Sequence, residues 1–256
     1  MSGLVAASQR MREVERPVRT LDAAAAWIDE VGLALVFPKA DVVLPSLWER
    51  VNGSPERNWA VRDSEGTFVR WSEEMAFLWG AKDDLPQQGL ACVGKHVARV
   101  ATCVAPRLVP VLAAAVEPVE ASDDEQAVAD AIEREGPLTG PQLRRLTGLQ
   151  KRPLDKAIAG LHRRLVLTNA YLVERDGVWG ALAHDLVSRK WRVPARVPDR
   201  TEARLALARL MLERANELTA ADLGGPFGWR RRVAADLLDE IAPSREEDGF
   251  RIWGRN

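Results

Sequence analysis

LTGPQLRRLTGLQKRPLDKAIAGLHRRL, residues 138–165, recurs eighty positions later as LTAADLGGPFGWRRRVAADLLDEIAPSR, residues 218–245. In that ungapped register Leu138-Thr139 falls on Leu218-Thr219, Leu143 on Leu223 and Gly148 on Gly228. The match extends upstream, where Ala131 and Ile132 meet Met211 and Leu212. It also extends downstream, where Leu154, Ala157, Ile158 and Leu161 meet Ala234, Leu237, Leu238 and Ile241. Apolar matches at helical spacing in a single register are the mark of an internal repeat, so the C-terminal half of the chain reads as two copies of one unit.

Each copy reads as three helices. In the first copy, residues 125–134 carry Val128, Ala131 and Ile132 on one face, and Gly136-Pro137 stops the helix. Thr139 is placed to cap a short helix through Leu146, because its hydroxyl can take up a free N–H of the first turn. Thr147-Gly148-Leu149 makes a tight turn, and a third helix over 151–165 sets Leu154, Ile158, Leu161 and Leu165 on one inward face. Residues 170–175 and 178–183 are short apolar runs around Asp176-Gly177, a hairpin signal. The second copy has its turn at Asp248-Gly249 and a shorter wing ending in Phe250-Arg251-Ile252-Trp253. Three helices with a glycine turn before the third and a hairpin after it resemble the winged helix-turn-helix, a fold family widespread in bacterial regulators and DNA-repair proteins. The resemblance implies double-stranded DNA as partner and the third helix as the element that reads it.

At about 100° per residue, the face of the third helix opposite Leu154, Ile158 and Leu161 carries Arg152, Lys156 and Arg163, with the small Ala159 and Gly160 beside them. Across 138–165 the basic residues Arg144, Arg145, Lys151, Arg152, Lys156, Arg163 and Arg164 face a single acid, Asp155. Such one-sided charge is the footprint of phosphate contact, whereas a merely solvated face mixes signs. Of that stripe the second copy keeps Arg232 alone, since Lys156 becomes Asp236, Ala159 becomes Asp239 and Arg163 becomes Pro243. Its Arg230, Arg231 and Arg232 could touch the DNA backbone, but Asp236, Asp239 and Glu240 would repel a duplex lying along the helix. The second copy therefore reads as degenerate, either a minor DNA contact or a packing unit. The connector 188–200, with Arg189, Lys190, Arg192, Arg196 and Arg200 against Asp199, is either a backbone-following strap or a solvated linker broken by Pro194 and Pro198.

With 256 residues, 46% of them hydrophobic, the chain can build two or three small domains. A net charge of −1 excludes a globally basic nucleic-acid coat and leaves room for a local basic face. Two cysteines, Cys92 and Cys103, allow at most one bridge and no CxxC pair, which fits a reducing cytoplasm. MSGLVAASQRMREVERPVR, the first residues, lack the apolar run of an export signal, and the apolar stretch 103–116 is broken by Pro106, Arg107 and Pro110. A cytoplasmic, nucleoid-associated protein with no membrane span is expected.

Upstream of the repeat, residues 21–31 form an alanine-rich helix ended by Gly32, and a short helix begins in 45–51 after the run 33–44. Trp48, Trp59, Trp71 and Trp79 follow closely, as a packed core in the preferred reading and as a stacking surface for bases in the other. Acidic residues across 117–125, with Ser122, mark a linker to the repeat. GLALVFPKADVVLPSLWERV (32–51) and WGAKDDLP with the later Gly94-Lys95 are similar to a group of bacterial proteins distantly related to the tandem winged-helix DNA glycosylases, the enzymes that excise alkylated bases and unhook interstrand crosslinks. Those glycosylases carry a Gln-x-Gln or Gln-x-Asp pair just after a Leu-Gly, whose side chains position the attacking water. The matching stretch here is Leu33-Ala34-Leu35-Val36-Phe37, in which no side chain can hold a water or accept a proton. Catalytic residues are thus not identified from the resemblance.

Lys82-Asp83-Asp84, beside Trp79 and ahead of Pro86, is a nucleophile or base if the lysine is buried, and otherwise a charge cluster at a helix end. His96, His162 and His184 have no metal-ligand spacing, and no phosphate-binding glycine loop occurs, so neither a metal nor a nucleotide cofactor is expected. The expected architecture is mainly α with short β wings. A helical N-terminal domain over 1–120, with a diverged winged helix as the alternative, precedes a winged helix over 121–190 and a degenerate winged helix over 200–256. The expected function is DNA binding in repair or damage response through Arg144, Arg145, Lys151, Arg152, Lys156 and Arg163, helped by Arg230, Arg231 and Arg232. The alternatives are a glycosylase for alkylated or crosslinked bases and a transcriptional regulator.

Overall fold

A computed structural model describes residues 17–54, 56, 58–175, 178–191 and 198–254. The first stretch holds α1 (Leu21–Val31), β1 (Leu33–Leu35), α2 (Leu47–Asn52), a hairpin of β2 (Ala60–Arg62) and β3 (Phe68–Trp71), and α3 (Glu73–Gln87). A second hairpin, β4 (Cys92–Val97) and β5 (Val100–Val104), follows, and a 3-10 turn leads into α4 (Val109–Ala115). The middle stretch holds α5 (Asp123–Glu135), β6 (Leu138–Thr139), α6 (Gly140–Thr147), α7 (Lys151–Arg163), β7 (Leu167–Arg175), β8 (Val178–Leu186) and α8 (Val187–Lys190). The last holds α9 (Arg200–Ala215), β9 (Glu217–Thr219), α10 (Ala220–Phe227), α11 (Arg231–Ile241), β10 (Ser244–Glu247) and β11 (Phe250–Gly254). The molecule is mainly α with small antiparallel sheets.

All three stretches follow one plan: a helix, a short strand, two helices and a hairpin whose second strand pairs with the short one. The strand orders are accordingly β1-β5-β4, β6-β8-β7 and β9-β11-β10. The local chemistry repeats as well. Each short strand gives way to its helix at a hydroxyl N-cap closed by a capping box, Ser46 with Glu49, Thr139 with Gln142, and Thr219 with Asp222. Each of those helices ends on a left-handed glycine, Gly53 at φ 72°, Gly148 at 71° and Gly228 at 72°. In the first stretch the hairpin β2–β3 is inserted between α2 and α3, so no ungapped register could reveal this third occurrence of the plan.

The N-terminal stretch, expected to be helical, also carries five strands. β4 is buried on both faces except at Lys95, and a strand of that kind shows no polar alternation in its sequence. The acidic residues expected to form a linker are in part the first turn of α5, which begins at Asp123 because Ser122 caps it and Glu125 closes the box. Helix α7 stops at Arg163, and Leu165 turns the chain with φ 54°. The expected turn Asp176-Gly177 lies outside the described residues, as do Arg192, Pro194 and Arg196 of the connector. Asp248 (φ 51°) and Gly249 (φ 76°) form the second expected turn.

Three cores hold the chain. Trp27, Ile28, Leu47, Trp48 and Leu78 form one within the first stretch. Val128, Ile132, Leu143, Leu154 and Leu161 form another within the middle. The third crosses stretches: Leu33, Leu35, Cys92 and Val104 from the β1-β5-β4 sheet pack with Leu207, Met211, Leu238 and Trp253. Buried Arg204 of α9 donates to Ala115 O at 3.0 Å and pairs with Glu117 at 2.6 Å, tying the last stretch to the end of α4. Ile241 is only half-buried although its counterpart Leu161 is buried, because α11 ends on it while α7 runs two residues further. No helix among the described residues is long and apolar enough to cross a membrane.

Candidate nucleic-acid interface

Helix α7 turns Leu154, Ala157 and Leu161 into the middle core, with Ile158 half-buried. This leaves Lys151, Arg152, Lys156 and Arg163 exposed on the other side. Arg144 and Arg145, in the last turn of α6, are exposed too. None of these six cations makes an ion pair among the described residues. Arg164, counted with them in the sequence, is different. It is half-buried, pairs with Glu125 at 2.9 Å and donates to Val119 O at 3.0 Å, so it fixes the entry to α5 rather than facing solvent. Glu125 in turn fills the space beside Gly160, which explains the small residue there.

Arg230, Arg231 and Arg232 are exposed at the start of α11. Of the acids expected to repel DNA there, Asp239 is taken by Arg251 and by the Trp253 indole N–H at 2.9 Å, while Asp236 and Glu240 stay exposed. The inward face of α11, Ala234, Leu237 and Leu238, belongs to the core shared with the first stretch.

A cleft of about 990 Å³ opens where the three stretches meet. Its walls carry Lys39 and Arg99 from the first stretch, Arg163 and Arg164 from the middle, and the segment from Ala221 to Gly228 from the last. Every acid on the wall is engaged. Asp41 pairs with Lys39 at 2.7 Å, Glu117 with Arg204 and Arg200, Glu125 with Arg164, and Asp222 accepts from Thr219 N at 2.9 Å. The Arg204 guanidinium and burial act in opposite directions on Glu117, and the hydrogen bond prevails, holding its pKa below the usual carboxylate value. Arg99 and Arg163 have no such partner among the described residues.

The three histidines, which the sequence scatters, meet in one cluster. His96 Nδ1 donates to His162 O at 2.8 Å, His162 Nε2 lies 3.1 Å from His184 Nδ1, and Cys92 Sγ lies 3.4 Å from His96 Nε2. Burial pushes His96 and His184 down to about 4 and His162 well below its ordinary value, with Lys95 and the neighbouring rings adding to the effect on His162. Burial likewise pushes both free thiols, Cys92 and Cys103, up to about 12. These groups are neutral at neutral pH, and among the described residues no three His, Cys, Asp or Glu are arranged to hold a metal ion. The cluster joins β4 to α7 and β8, so it is a seam between the first and middle stretches.

Lys82 is mostly covered and bonds Asp83 at 2.6 Å while lying 4.3 Å over the Trp79 ring. Its ammonium is held by both neighbours, an arrangement that packs α3 rather than exposing a nucleophile. Of the four clustered tryptophans, Trp48 is buried and Trp59 half-buried, but Trp71 and Trp79 are 45% and 42% exposed, so only half of them form core. Leu33, Ala34, Leu35 and Val36 are buried in strand β1 and its continuation, and their apolar side chains can neither hold a water nor accept a proton.

A family model described as AlkZ related matches residues 18–223. In fold the chain is similar to the Streptomyces sahachiroi DNA glycosylase AlkZ, with a TM-score of 0.56 and 14% sequence identity over 98% of this chain and 69% of that one. No curated protein matches the chain.

Proposed function

Since the chain belongs to the AlkZ-related family, we propose that it binds double-stranded DNA in a DNA-repair role, through winged helix-turn-helix units of which the middle one reads the duplex. The observation that carries this reading is the stripe of Arg152, Lys156 and Arg163 on α7, exposed and without ion pairs among the described residues. It follows a left-handed glycine turn and stands beside the β7–β8 hairpin, the order in which a winged helix presents its third helix. Charged side chains left unpaired at a surface are free to replace the counterions of a phosphate backbone. On this reading the last unit, whose α11 is built into the core shared with the first, orients the molecule, and Arg230, Arg231 and Arg232 add backbone contacts. A cytoplasmic, nucleoid-associated location belongs to the same reading.

The test is salt-dependent binding to a labelled duplex. Changing Arg152, Lys156 and Arg163 together to Ala should flatten the log–log salt slope by about two to three, because each phosphate contact contributes close to one. The matching change of Arg230, Arg231 and Arg232 should have a smaller effect. Folding should survive in both, since the side chains face away from the core. An unchanged slope in the first variant would show α7 to be merely solvated.

One observation favours a second reading, excision of an alkylated or crosslinked base. The cleft between the three stretches, about 990 Å³, has room for a nucleotide turned out of the duplex. Incubation with alkylated or crosslinked duplex followed by detection of abasic sites separates the two readings directly.

A further inference from the structure

The turn between β4 and β5 consists of two residues, Ala98 and Arg99, enclosed by the Val97–Val100 pair. Both have positive φ, 53° and 60°. A two-residue hairpin turn of that hand is normally filled by Asn or Asp and Gly, because a Cβ in the left-handed region meets the neighbouring carbonyl. Neither residue here relieves that conflict. Conformations of this kind persist only where the surroundings enforce them, and here they do so from three sides. Ala98 N donates to Pro226 O of α10 at 2.7 Å. The buried Thr102 hydroxyl lies 3.2 Å from Val97 O and 3.0 Å from Val100 O, closing the base of the turn. The strand pairing itself fixes the register.

What this constraint delivers is the Arg99 side chain, exposed on the wall of the central cleft. Arg163 reaches the same cleft from the end of α7. Since Asp41, Glu117 and Glu125 are each bound to a lysine or an arginine and Asp222 is tied up in its helix cap, these two guanidiniums are the cations of the cleft that make no ion pair among the described residues. Arginine suits phosphate because its planar fork can donate two parallel hydrogen bonds. We propose that Arg99 is a phosphate-binding residue of the cleft, which together with Arg163 holds the backbone of one DNA strand across the junction of the first and middle stretches. The proposal rests on the duplex-binding reading above and adds a contact from a different unit.

The experiment compares the wild-type chain with Arg99→Gly, Arg99→Gln and Arg99→Lys, alongside the α7 triple variant, by salt-dependent binding to a labelled duplex and by thermal melting. Glycine removes the guanidinium and relieves the backbone at once. Arg99→Gly should therefore melt no lower than the wild type, yet lose roughly tenfold in affinity, the worth of a charge-assisted hydrogen bond, and flatten the salt slope by about one. Arg99→Gln should flatten the slope to the same degree, and Arg99→Lys, which keeps the point charge, should restore it. If glycine lowers the melting temperature, the Gln and Lys pair decides the matter. An unchanged slope in Arg99→Gly and Arg99→Gln while the α7 triple variant loses its own would overturn the role of Arg99 and leave duplex reading by α7 intact. Loss in the Arg99 variants with no loss in the α7 variant would overturn duplex reading by α7 and with it the partnership of Arg99 with Arg163. A wild-type chain that binds no duplex would overturn both.

Discussion

Gly94 shows how much of this structure depends on single atoms. It lies on β4 between Cys92 and His96, and a Cβ built there would fall onto His162 Nδ1 and come within 2.6 Å of His96 Nε2. Those are ring atoms of buried side chains, held by the His162 carbonyl and by His184, so they cannot swing aside as the end of a lysine could. Gly94→Ala should destabilise the protein by about 1–3 kcal/mol, the cost of overpacking a closed core. Gly80→Ala makes the control, because it lies within α3 and, apart from its chain neighbours and the helix backbone, the nearest atom to a Cβ there is Asp84 Oδ2 at 3.8 Å, an ordinary contact. It should be neutral or slightly stabilising, as helical alanine usually is. Urea denaturation reads both; equal midpoints for the two variants would mean that the histidines do not pack against β4 as described.

Among the elements, the capping boxes of α2, α6 and α10 carry the resemblance between stretches more faithfully than the apolar residues do. Ser46 is fully buried, its hydroxyl 2.7 Å from Glu49 Oε2 and accepting from Glu49 N at 3.2 Å, whereas Thr219 caps α10 in a half-buried setting. Ser46→Ala should cost about 2 kcal/mol and Thr219→Ala about 1 kcal/mol, the upper and middle of the range for a lost cap. Thermal unfolding would measure both, and a Ser46→Ala variant as stable as the wild type would contradict the box. The same elements show where the sequence could be read. The repeat from Ala131 to Leu161 and from Met211 to Ile241 was legible because a helix writes its buried face into neighbouring positions three and four apart. Thr139 was legible as a cap for the same local reason. The occurrence of the plan in the first stretch reads from the sequence only as the alternative of a diverged winged helix, because β2–β3 interrupts its register, and a strand of two residues such as β6 has no period to detect. Arg152, Lys156 and Arg163 could be placed on one face of α7 from their spacing alone. Arg99 could not be found that way, since its position in the cleft depends on a hairpin turn that meets Pro226 from a distant part of the chain.

At the scale of the whole molecule, the seam between the first and middle stretches is built from groups that must stay uncharged. His96 comes from β4, His162 from α7 and His184 from β8, and the charges that act on them from the elements around are those of Lys95 on all but His96 and of Lys190 on Cys92. Among the described residues no carboxylate offsets the burial of the three rings, so protonation in place would set positive charges beside one another and beside Lys95. The folded protein consequently holds His96 and His184 neutral down to about 4 and His162 neutral well below its ordinary value, whereas in the unfolded chain each takes up a proton near its ordinary 6.5. The sign follows from that difference. Because the folded values are depressed, the unfolded state binds more protons as pH falls below 6.5, and stability that is complete above that pH is lost progressively toward pH 4. Each histidine contributes a slope of up to about 1.4 kcal/mol per pH unit in this window. Urea midpoints taken at pH 7.5, 6 and 5 should therefore fall steeply at the lower two, and His184→Gln, which removes one titrating ring from the outer end of the cluster, should make the fall shallower by about a third. A midpoint that stays level from pH 7.5 to 5, or a slope unaltered in His184→Gln, would mean that the rings take up protons without opening the seam between the two stretches.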